Sequence, residues 1–93
     1  MKATRFQAEV VSGHKGAAVE VPFDPNAAWE TPSQQIRPGR RGHPARATLN
    51  GTRFDCVIVA RSRRFWLLVE DRVLAAAKAQ LGEVVNITVA PFA

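Results

Sequence analysis

Residues 44–60 read P-A-R-A-T-L-N-G-T-R-F-D-C-V-I-V-A. Asn50-Gly51 lies between two alternating runs, which is the strongest short-range signal for a β-hairpin with a two-residue turn. Before the turn, Ala45, Ala47 and Leu49 share one face, and Arg46 and Thr48 the other. After it, Phe54, Cys56 and Ile58 lie opposite Arg53, Asp55 and Val57. From Cys56 to Ala60 both faces are apolar, which predicts a strand buried on both sides.

The flanks of this hairpin carry most of the charge. Arg37, Arg40, Arg41 and His43 precede it, and Arg61, Arg63 and Arg64 follow it. Residues 37–64 contain eight Arg and one acid, Asp55, whereas the segments on either side are each close to neutral. Pairing about Asn50-Gly51 puts Ala60 opposite Gly42 or His43. The two basic flanks therefore meet at the end of the hairpin away from the turn, with Arg46 and Arg53 extending the patch toward the tip. Arginine holds phosphate or carboxylate through a two-pronged hydrogen bond. Fifteen Ala and only three Lys fit a GC-rich coding sequence that favours Arg without any function. That composition leaves the clustering unexplained.

Further outward, residues 4–12 alternate, with Phe6, Ala8 and Val10 on one face. Residues 17–22 alternate again, and the Gly13 and Gly16 region between them predicts a hairpin of these two strands. Asp24 before Pro25 is read as the cap of one helical turn, with Phe23 and Trp29 anchoring it. Residues 30–42 lack periodicity and are expected to form a mobile surface loop reaching to about residue 43. Phe65 to Val69 is a short apolar strand, in which one of Phe65 and Trp66 must face the core while the other can offer a stacking surface to a base. A helix capped by Glu70 or Asp71 is expected to run to about Gln80, with Val73, Leu74, Ala77 and Leu81 inward and Gly82 as C-cap. Residues 83–90 close the chain as a strand with Val85, Ile87 and Val89 inward.

The 93 residues thus predict a single mostly β domain with one helix (α+β): a small six-stranded, mainly antiparallel barrel with the helix plugging one end. Residues 1–10 have no apolar leader segment, and no run of about 18 apolar residues spans a membrane. A cytoplasmic protein is the expectation.

Phe6-Gln7-Ala8, Val21-Pro22-Phe23-Asp24, Thr48-Leu49-Asn50-Gly51-Thr52-Arg53-Phe54, Leu81-Gly82-Glu83 and Val85-Asn86-Ile87-Thr88-Val89 occur in an order that resembles the bacterial family called domain of unknown function 1905. The resemblance spans nearly the whole chain. It implies a double-split β-barrel, a fold similar to that of small bacterial DNA-binding regulators and antitoxins. It carries no activity and no catalytic residue. The chain departs from the family in having Arg61-Ser62-Arg63-Arg64 where a glycine-rich turn is usual, and Gly82-Glu83 where Gly-Asp is usual.

Catalytic and metal chemistry find little support. His14, His43 and Cys56 are the metal candidates, but they lack the clustered spacing of a zinc site. Cys56 reads as a small buried hydrophobe. A Cys56–His43–Asp55 arrangement fails because Asp55 points away from Cys56 on the same strand. Glu70 and Asp71 suit a helix start rather than a carboxylate pair. No phosphate-binding glycine pattern occurs, and no cofactor is expected. The favoured function is a nucleic-acid-binding, regulatory type of module acting on DNA or RNA through Arg37, Arg40, Arg41, His43, Arg46, Arg61, Arg63 and Arg64. The alternative is an interaction module with an acidic protein partner or a homo-oligomer. A second alternative, a small-ligand site or an enzyme, predicts a concave pocket with convergent polar groups.

Overall fold

The computed structural model describes residues 3–13 and 16–92. His14, one of the metal candidates, lies outside the described residues. The chain runs β1 (Thr4–Glu9), β2 (Val11–Ser12), β3 (Ala17–Val21), α1 (Pro25–Ala28), β4 (Gln34–Arg37), β5 (Arg40–Leu49), β6 (Thr52–Arg61), β7 (Arg64–Val69), α2 (Asp71–Ala77) and β8 (Val84–Pro91). The strands form one curled antiparallel sheet, a half-barrel in the order β1-β8-β5-β6-β7-β3-β2, with β4 added to β5.

The β5–β6 hairpin sits at its centre. Asn50 and Gly51 both have positive φ, 49° and 89°, as a two-residue turn matched to strand twist requires. The ladder runs from Leu49↔Thr52 to His43↔Ile58. His43 therefore faces Ile58 rather than Ala60, because the closing pair at the turn fixes every pair beyond it. Asn50 also ties the tip to β8. Its amide donates to Asn86 O, and its side-chain oxygen accepts from Asn86 N, both at 2.9 Å.

The expected hairpin of the first two strands forms only next to its turn, where Val11 pairs with Ala18 and Ser12 with Ala17. β1 pairs instead with β8 (Phe6↔Ile87, Ala8↔Val85). Alternation fixes which face of a strand is buried, but not which strand lies beside it. The chain bends at Val10, which is fully buried; its N–H donates to Glu83 O, and its carbonyl accepts from Gly82 N. One run of residues thus supplies both ends of the sheet order.

The expected mobile loop is also corrected. Gln34–Arg37 is a strand paired with β5 (Gln34↔Gly42, Gln35↔Arg41), turned by Pro38 and Gly39, whose φ is 77°. Proline then glycine at the two central positions suits a type II turn. β4 and the division of the first strand account for eight strands where six were expected.

Both helices begin as anticipated, and α2 ends early. Asp24 caps α1 by accepting from Asn26 N at 2.8 Å, and Phe23 meets Trp29 at 5.7 Å between ring centroids. α2 stops at Ala77 because Lys78 is left-handed. The inward stripe breaks there: Ala79 is buried and Leu81 is exposed, while Gly82 lies in the following turn rather than at the cap. The core joins Leu49, Ile58, Leu67 and Ile87 to Val73 and Leu74 of α2. Each of the first four is completely buried and contributes roughly 1.5–3 kcal/mol of transfer free energy. Among the described residues, no helix is long and apolar enough to cross a membrane.

Candidate anion-binding surface

The β6–β7 turn is Ser62-Arg63, closed by the pair Arg61↔Arg64. Both turn residues have positive φ, 55° and 63°. This geometry normally selects Gly, Asn or Asp, because a Cβ in the left-handed region costs about 1–2 kcal/mol per residue. The turn is held from the side: Trp66 Nε1–H donates to Arg61 O at 3.4 Å. Arg64 lies 3.5 Å from the Glu20 carboxylate. Arg61 and Arg63 are exposed and have no acidic partner among the described residues.

Arg40 and Arg41 begin β5, at the same end of the central hairpin as Arg61. Arg41 donates to Ser33 Oγ at 3.2 Å and to Ser33 O at 2.7 Å. These acceptors fix the guanidinium without neutralising it. Arg37 ends β4, and its side chain lies outside the described residues. His43 does not share this surface. It is 4% exposed, its Nε2 lies 3.0 Å from Thr31 O, and its ring meets Trp29 edge-on at 6.4 Å. Among the described residues, Trp29 Nε1 is buried there without an acceptor. Phe65 packs against the core.

Arg46 points to the outer face of the sheet, well away from the turn. Its guanidinium lies 4.4 Å from the Phe92 ring centroid and 3.7 Å from Asp55. Thr48↔Arg53 is the next pair on that face, and Thr48 also pairs with Thr88. Arg46, Asp55, Thr48, Arg53 and Thr88, with Arg72 of α2, line an open groove of about 780 Å³. The sequence signals only part of it: strand alternation puts Arg46, Thr48 and Arg53 on one face, but nothing local brings Arg72 or Thr88 beside them.

The remaining ionisable candidates are structural. Burial, and secondarily the charge of Asp55, pushes the Cys56 thiol up to about 12, and Cys56 Sγ lies 3.6 Å from Ala45 O. Such a thiol is not a thiolate nucleophile at neutral pH. The Asn26 side chain, bonded to Asp24, holds that carboxyl below its ordinary value, as befits an ionised helix cap. Among the described residues, no three His, Cys, Asp or Glu side chains cluster to hold a metal.

The chain is thus a small, mostly β protein whose curled antiparallel sheet carries an arginine-bearing turn at one end and an arginine-lined groove on its outer face. Residues 6–89 match the model of the family described as domain of unknown function (DUF1905), and the chain belongs to that family. No curated protein matches it.

Proposed function

We propose that this domain binds nucleic acid through phosphate contacts from Arg40, Arg41, Arg61 and Arg63. The observation that carries the reading is Arg63. A long cationic side chain occupies a left-handed turn position where glycine would be unstrained, and no carboxylate among the described residues balances it. Backbone strain maintained by its surroundings is a pointer to function. A hydrogen bond from Trp66 holds the turn carbonyl, and Ser33 accepts two from the Arg41 side chain, so part of the ordering cost is met before a ligand arrives. Reading the curled sheet as a double-split barrel, as in small bacterial regulators, adds support by analogy alone.

Titration of fluorescent single- and double-stranded DNA and RNA at two salt concentrations tests this. Affinity should fall steeply with salt, and the slope should shrink by roughly one for each phosphate-contacting arginine removed. Binding that Arg61→Ala with Arg63→Ala leaves unchanged overturns it. Self-association is the second reading, favoured by the exposure of Leu81 (57%) and Val84 (64%) beside one turn. Sedimentation of the wild type and Leu81→Ser separates the two.

A further inference from the structure

The outer face of β8, β5 and β6 is a grid fixed by register. Thr88, Thr48 and Arg53 form one row, and Ala90, Arg46 and Asp55 the next. Arg46 and Arg53 stand on its diagonal, about 7–8 Å apart, which lets two long side chains converge on one ligand. Two of the three groove arginines are already engaged: Arg46 by Asp55 and Phe92, and Arg72 by Glu70 at 3.1 Å. Arg53 is exposed and has no carboxylate partner among the described residues. Thr48 and Thr88 are half-buried beside it and bring hydroxyl donors. Ala76 adds apolar surface to the same concavity, with only the edges of the buried Phe54 and Val73 reaching it. A volume of about 780 Å³ falls within the ordinary range for small-molecule sites.

We propose that this groove is a second site, separate from the Arg63 turn, that binds a small organic anion. Arg53, which has no carboxylate partner among the described residues, holds its carboxylate or phosphate, Thr48 and Thr88 donate to the same oxygens, and its apolar portion lies against Ala76. Arg46, held over Phe92 and beside Asp55, lines the edge of the groove. Three guanidinium groups against two carboxylates, Asp55 in the lining and Glu70 paired with Arg72, leave a net positive charge that sets the sign of the ligand. The apolar strip explains why a bare inorganic ion should bind less well than an organic one.

The test is a chemical-shift titration of the full chain with inorganic phosphate, benzoate and phenyl phosphate. Saturable shifts centred on Thr48, Arg53, Arg72 and Thr88 are expected, stronger for the aromatic ligands. Benzoate against phenyl phosphate separates a carboxylate ligand from a phosphate one. Arg53→Met, which keeps the stem and removes the charge, should weaken binding about tenfold or more, and Thr48→Val should weaken it less. Arg63→Gly should leave it unchanged. Arg53 is exposed and Thr48 is half-buried on the outer face, outside the core cluster, so the variants should fold, which an unchanged amide spectrum away from the groove verifies. Absence of saturable shifts with all three ligands, shifts confined to residues 61–64, or unchanged affinity in Arg53→Met overturns the proposal. Loss of nucleic-acid binding in the turn variants has no bearing on it.

Discussion

Gly42 lies against the carbonyl of Ile58 so closely that a Cβ there would stand 2.8 Å from the Ile58 oxygen and 2.6 Å from Val57 Cγ2. The Val57 methyl belongs to a side chain and can turn. The Ile58 oxygen belongs to the central ladder and cannot. Gly42→Ala should therefore destabilise the domain by about 1–3 kcal/mol. For a domain of this size, each kcal/mol lowers Tm by roughly 4–8 °C. A thermal melt of Gly42→Ala at the wild-type midpoint would show the close approach to be dispensable.

Arg63 makes the opposite prediction. Arg63→Gly should raise stability by up to about 1 kcal/mol, because relief of left-handed strain outweighs the extra unfolded-state freedom of glycine. Arg63→Ala keeps a Cβ and should gain nothing. Chemical denaturation of the three proteins checks this, and equal midpoints for the Gly and Ala variants would contradict it.

Cys56 gives a pH dependence. Its pKa is raised in the folded protein, to about 12 from an ordinary 9.0. The folded state therefore keeps a proton that the unfolded state has released in that window. Its contribution to stability is complete below pH 9 and declines as pH rises from 9 toward 12. The chain has no Tyr, so few other groups titrate there. Cys56→Ala should flatten this part of the stability profile, and wild-type Cys56 should react with a disulfide reagent only on unfolding.

The Arg46–Phe92 contact is worth about 0.5–1 kcal/mol at an exposed site. A double-mutant cycle with Arg46→Ala and Phe92→Ala measures it. A coupling energy indistinguishable from zero would show that the stacking is incidental.

The parts of this architecture written in short-range chemistry were readable from the chain. Asn50-Gly51 dictated its turn, Asp24-Pro25 its cap, and the alternation of Val85, Ile87 and Val89 their burial. The choice of β8 as partner for β1 was not readable, because Phe6 and Ala8 would be inward beside any neighbour. β4 was hidden by a polar sequence without alternation, although Pro38-Gly39 carried a turn signature. α2 was overrun because Ala77 and Leu81 continued a helical stripe past Lys78, where the backbone turns left-handed. The arginines at the β6–β7 turn were visible as a cluster. The burial of His43 under Trp29 was not, since it depends on Thr31 folding back across twelve residues. The groove joins Arg72, Thr88 and Arg53 from three elements, and no window of sequence contains that juxtaposition.

The bend at Val10 has a consequence for how the molecule comes apart. β1 and β2 hold opposite ends of the strand order, yet they are neighbours along the chain. A sheet ordinarily unzips from an outer strand, peeling one ladder at a time. Here the two terminal ladders share one anchor at Val10, so release of that residue loosens both. Loss of structure should therefore be a single event, with hydrogen exchange in β1 and β3 tracking that of β5. A nick at Val10 should create two fraying edges at once.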